Sequence, residues 1–193
     1  MSLITLTAPS GEFIDMPNSF SLSCKIINNM MEDVETDEST NIKIPIPDDF
    51  NMDSIEMMIN FFTKVYELKV NTDNGMNISY LDYLLDKEYR KEYIKNYTDK
   101  NADPPHCEKL VELYREYNKK LPIQEEDMDI DEDKDKEQKT YLTEFLNMDK
   151  YFNNKKLRQA VMLCITAFIR LGDESKVNEI MNTIMKIIQD NQN

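Results

Sequence analysis

"ITLTAPSGEFIDMP", residues 4–17, is the stretch from which the fold can be read outward. Ile4 and Leu6 alternate with Thr5 and Thr7, Pro9-Ser10-Gly11 interrupts, and Phe13, Ile14 and Met16 resume an extended run. Alternation on both sides of a Pro/Gly break predicts a β-hairpin, and the stretch holds no reactive group. Next, Ser23 offers a hydroxyl to cap a short amphipathic helix through Cys24, Ile27, Met30 and Met31, which runs into the acidic residues Glu32 to Glu38. Ile42, Ile44 and Ile46 alternate with Lys43 and Pro45. This predicts a third strand, which Pro45 and Pro47 confine to an edge or a strand end because proline donates no ladder hydrogen bond. Ile55, Met58, Ile59, Phe62, Val65 and Tyr66 then form one helical stripe, with Asp53 or Ser54 as its cap.

From Glu67 to Lys120 the periodicity weakens. Tyr80, Tyr83, Leu84 and Leu85, then Leu110, Leu113, Tyr114 and Tyr117, suggest two modest helices around the Pro104-Pro105 break. Leu121 to Gln138 holds nine acids and two lysines, half of the chain's net charge of -14. Self-repulsion at that density predicts a solvated, mobile loop. Tyr141, Leu142, Phe145, Leu146 and Met148 open a helix, Leu157 to Leu171 is a strongly apolar one, and Gly172 stops it. Asp173 caps a last helix with Val177, Ile180, Met181, Ile184, Met185 and Ile188. The expected organisation is α+β, with a small sheet over Leu3 to Ile46, flanking helices and a helical tail. Its segments are 1–66, an insert over 67–140 with the acidic linker, and 141–193.

Composition narrows the function classes. The 193 residues suit one domain of ordinary size. An excess of 37 acids over 23 bases repels phosphate backbones and anionic headgroups, so neither nucleic acid nor membrane is an expected partner. No apolar run reaches spanning length and no signal peptide opens the chain, so a soluble, intracellular protein of the cytoplasm or nucleus is expected. The usage, rich in Asn, Lys and Ile and poor in Gly, is that of an A/T-rich genome such as a protist or a large DNA virus carries. Cys24, Cys107 and Cys164 are odd in number and widely spaced, which suggests neither a disulfide framework nor a metal knuckle. With only 3 Gly, most phosphate-cradling loops, which need close backbone approach at several glycines, are excluded. His106 is the single histidine, and its neighbour Cys107 is badly placed to pair with it, so it reads as a surface loop residue. Asp127, Asp129, Asp131 and Asp133 have the alternate spacing of a calcium loop. Glu132 stands where the loop needs Gly, however, and Gln138 where it needs a bidentate Glu. No active site, metal or cofactor is expected, and an enzyme is the weakest reading.

Residues 1–63 together with Leu142 to Asn182 resemble the Skp-type adaptors, the linker subunits of cullin-RING ubiquitin ligases built on the BTB/POZ fold. "ITLTAPSGEFIDMP" is similar to that family's first hairpin, and "SCKIINNMMED" to its Ser-capped helix. "IPIPDDFNMDSIEMMINFFT" resembles its Pro-containing strand and following helix, with one inserted residue. "DKYFNNKKLRQAVMLCITAFIRLGDESKVNEIMN" is similar to its C-terminal helices, without a gap. The resemblance implies no catalysis. It implies a cullin-facing surface at Pro45, Pro47, Lys150 and Tyr151. It also implies an F-box-binding face at Leu157, Val161, Ile165, Phe168, Ile169, Val177, Ile180 and Met181, taking a partner helix in the helix-in-groove manner. Val161, Ile165 and Phe168 beside Met162 and Ile169 make a face wider than one helix contact covers, which favours a partner there.

The chain departs from the family pattern in three respects. The insert is longer than the family's acidic loop, Lys150 replaces the Asn of the family's Asn-Tyr pair, and no Trp-bearing helix follows to finish the grip on an F-box. A divergent adaptor is the expectation. The alternative is a BTB/POZ self-association module that forms a homodimer without a ubiquitin-ligase role.

Overall fold

Chain direction reverses at Pro9-Ser10-Gly11, where the backbone of Gly11 lies at φ +91°. Its N–H donates to the Ala8 carbonyl at 3.0 Å, while the Ala8 N–H donates to the Glu12 carbonyl at 2.9 Å. This is a three-residue loop whose last position favours glycine, since a side chain at positive φ is strained. It joins β1 (Ile4–Thr7) to β2 (Phe13–Met16) in antiparallel register, with Ile4 opposite Met16 and Leu6 opposite Ile14. The structure, a computed structural model, describes residues 4–32, 42–48, 50–97, 103–122 and 139–171. Among these the chain is mixed α and β, with a small sheet and a larger set of helices.

β3 (Ile42–Pro45) lies parallel to β1, giving the order β2-β1-β3 and making β3 an edge, as its prolines require. Ile42, Ile44 and Ile46 point into the core and Lys43 and Pro45 away from it. Two short helices follow β2: α1 (Asn18–Ser21), absent from the sequence reading, and α2 (Lys25–Glu32). The Ser23 hydroxyl does not cap α2. It donates back to the carbonyls of Phe20 at 2.7 Å and Ser19 at 3.0 Å, closing the end of α1. A hydroxyl that close to a preceding turn finds the exposed carbonyls first.

α3 (Met52–Tyr66) starts two or three residues earlier than expected. Its cap is Asn51, whose side chain accepts from the N–H groups of Asp53 at 2.8 Å and Ser54 at 3.3 Å. The expected stripe is buried from Ile55 to Val65, and Phe61 joins it because neighbours cover α3 on a second side. After α3 come a hairpin of β4 (Lys69–Asn71) and β5 (Asn77–Ser79), then α4 (Tyr80–Leu85), α5 (Lys87–Tyr97) and α6 (Cys107–Tyr117). Three helices and a hairpin thus stand where two helices were read. The hairpin had a signal, Asn74-Gly75, with Gly75 at φ +75°.

Segment 67–140 shares the core of the rest. Tyr80 and Tyr117 are among its most deeply buried side chains, α6 packs along α8, and Tyr117 meets Phe61 at 5.2 Å and Phe145 at 6.0 Å. The two ends of the acidic stretch are held side by side, with Leu121 N–H donating to Lys139 at 2.9 Å and Tyr141 N–H to Lys119 at 3.1 Å. The acidic residues themselves, including Asp127, Asp129, Asp131 and Asp133, lie outside the described residues, as do Gly172 and the helix expected after it. α7 (Tyr141–Phe152) is opened by a reciprocal cap between Thr140 and Thr143, and α8 (Lys155–Leu171) follows a tight turn in which Asn153 takes φ +49°.

Candidate functional site

The corner where β3 ends beside the end of α7 gathers the residues read as scaffold-facing. Pro45 closes the edge strand, and its carbonyl accepts the Tyr151 hydroxyl at 3.0 Å. Pro47 opens a turn closed by the Phe50 N–H at 3.1 Å. That turn lays the Phe50 ring edge-on to Tyr151, with centroids 5.8 Å apart. Lys150 is exposed, Tyr151 and Pro47 are half-buried, and Pro45 is exposed. Partial burial pushes the Tyr151 hydroxyl above the usual phenol range, so it stays a neutral donor. A shallow depression of ≈ 230 Å³ lined by Thr7, Pro9, Lys43 and Pro45 adjoins the corner. Of the four predicted residues Tyr151 and Pro45 are in direct contact, Pro47 adjoins them through the Phe50 turn, and Lys150 is the exposed neighbour of Tyr151. Phe50 was missed; its signal was an aromatic residue directly after a Pro-Ile-Pro run.

The second surface needs correction. Leu157, Val161 and Ile165 are 0%, 0% and 5% exposed, so they belong to the core and are unavailable to a partner. α8 touches α6, α4, α3 and α7, and its apolar face is broad because several of the chain's own helices cover it. Phe168 and Ile169 are half-buried, and the Phe168 ring stacks on Tyr114 with centroids 4.2 Å apart. Met162 at 37% and Leu171 at 43% are the more exposed apolar side chains of this helix. Val177, Ile180 and Met181 lie outside the described residues.

Between these surfaces sits a polar joint that sequence reasoning did not single out. Asp149 is 2% exposed, accepts the Asn154 N–H at 2.6 Å and pairs with the Arg158 guanidinium. Burial pushes its carboxyl up, against the Asn154 N–H and the Arg158 charge, which pull it down. The Asn154 side chain accepts from the N–H groups of Lys156 and Leu157, both at 3.0 Å, capping α8. Its amide nitrogen donates to the Phe20 carbonyl at 3.4 Å, tying that cap to α1. The arrangement is structural: it fixes the angle between α7 and α8 and seats both against the hairpin half.

Cys24, Cys107 and Cys164 are all buried, and burial pushes each thiol up, Cys24 to about 12, so none is a thiolate near neutral pH. His106 precedes α6 at φ +60°, and its Nε2–H donates to the Lys69 carbonyl at 2.6 Å. Among the described residues no group of His, Cys, Asp and Glu could hold a metal ion, and no helix is long and apolar enough to cross a membrane. No family model matches the chain, and a comparison with curated proteins gives no match.

Proposed function

We propose that the chain is a divergent Skp-type adaptor on a BTB/POZ fold. In this reading it bridges a cullin-like scaffold to F-box-type receptors in a ubiquitin ligase complex and does no chemistry itself. The observation that carries the reading is the meeting of two segments far apart in sequence. The stretches resembling the family's beginning and end pack together through Phe20 with Phe62 at 5.1 Å and Phe152 at 5.8 Å, and through Phe61 with Phe145 at 5.5 Å. Their junction carries Tyr151 on Pro45. An aromatic residue with a polar tip at such a corner suits an interface centre. The receptor-facing role falls to Ile169 together with Val177, Ile180 and Met181, since the first turns of α8 are core and the Phe168 ring is stacked on Tyr114.

Titration with a cullin N-terminal fragment and, separately, with an F-box peptide tests the reading. Both should bind, and Tyr151→Lys should weaken only the cullin fragment, by about 1–2 kcal/mol, with an unchanged melt. Absence of binding to either, with a homodimer in sedimentation, would replace the adaptor by the self-association module.

A further inference from the structure

The opposite edge of the sheet carries a separate feature. Among the described residues β2 has a single partner strand, β1. Because Ala8 donates to Glu12 across the turn, the next hydrogen-bonded pair of the ladder is Leu6–Ile14. The N–H and C=O groups of Phe13 and Asp15 are thereby directed away from β1. The Phe13 side chain is 68% exposed, the most of any large apolar residue described, although a phenyl ring gains much from burial. Beside it a shallow depression of ≈ 570 Å³ opens between the hairpin and the first turns of α3. Ile14 and Met52 give it apolar lining, and Glu12, Asp53 and Glu56 give it carboxylates, with no Lys or Arg among its lining residues.

We propose that β2 and the start of α3 form a docking site for an extended segment of a partner protein in which Lys or Arg alternates with apolar residues, added as a strand beside β2. The N–H and C=O groups of Phe13 and Asp15, unpaired among the described residues, supply ladder hydrogen bonds, Phe13 and the depression take the apolar side chains, and the carboxylates receive the cations. Charge selects this occupant over a second copy of the chain. A second copy, of net charge -14, would bring the carboxylates of Glu12, Asp53 and Glu56 up to an equally acidic surface with no cation in the lining to offset them. The same acids that keep copies of the chain from adding to one another thus leave the edge open to a cationic strand. The site stands apart from the Pro45–Tyr151 corner, which lies at the β3 edge, and it does not depend on the adaptor reading.

The test uses the full chain and an octapeptide alternating Lys and Val, beside an alternating Glu-Val peptide and a Lys-Pro peptide that has the charge but cannot pair as a strand. Nuclear magnetic resonance should show the Lys-Val peptide slowing amide exchange at Phe13 and Asp15, with affinity falling as salt rises. Phe13→Ser should weaken binding at least tenfold, and so should the Glu12→Lys/Glu56→Lys double variant, which keeps Phe13 and changes only exposed charges. Equal binding of the Lys-Pro peptide, unchanged exchange at Phe13 and Asp15, or full affinity in both variants overturns the proposal. So does protection of the same amides by dimerisation of the chain alone.

Discussion

Phe168 decides between a partner groove and a core contact on α8, and its truncation can be worked out in advance. Complete removal of a buried Phe side chain costs about 3–5 kcal/mol. Phe168 is half-buried, so about half of that, roughly 2 kcal/mol, is the burial part of the loss. The stacked contact with Tyr114 at 4.2 Å adds about 1 kcal/mol. Phe168→Ala should therefore cost about 3 kcal/mol in urea unfolding followed by circular dichroism, and lower Tm by about 6–12 °C for a chain of this size. A double-mutant cycle with Tyr114→Leu should return about 1 kcal/mol of coupling. A loss under about 0.5 kcal/mol with zero coupling would mean that the ring does not hold α6 to α8. Phe168 would then be a free groove residue, as the sequence alone suggested.

Asn51→Ala removes the acceptor that holds two N–H groups at the start of α3 and should cost about 1 kcal/mol by urea unfolding, with Asn51→Asp close to neutral. Replacing residues 123–137 by Asn-Gly should leave stability within about 1 kcal/mol, because the chain already meets itself in an antiparallel bridge between Lys120 and Thr140; a loss above about 2 kcal/mol would place those residues in the core. Burial pushes the Cys24 thiol up from its ordinary 9.0 to about 12. The native state thus holds the proton more tightly, so this contribution to stability is complete below pH 9 and is lost as pH rises from 9 toward 12. At pH 10 the loss should be roughly 1 kcal/mol, read as the difference in pH slope between the parent chain and Cys24→Ala. Equal slopes would show that burial does not control this thiol.

Sequence by itself determined the local elements. Strict alternation in Ile4–Thr7 and Ile42–Ile46, the Pro-Ser-Gly break and the stripe from Ile55 to Tyr66 left one secondary structure each, because periodicity and turn chemistry act between near neighbours. The edge position of β3 was legible for the same reason, since a missing N–H is a property of Pro45 alone. Caps were less legible. Asn51, Asp53 and Ser54 are all competent acceptors, and which one is used depends on where α3 is held by its packing. Tertiary structure alone decided what the apolar breadth of α8 is for. A wide face reads identically whether a partner or the chain's own α3, α4, α6 and α7 cover it, and only the packing puts Leu157, Val161 and Ile165 under those helices. It also decided that Tyr80 and Tyr117, from a stretch of weak periodicity, close the core. Large aromatic rings buried from several directions obey no single repeat, so their role depends on contacts remote in sequence.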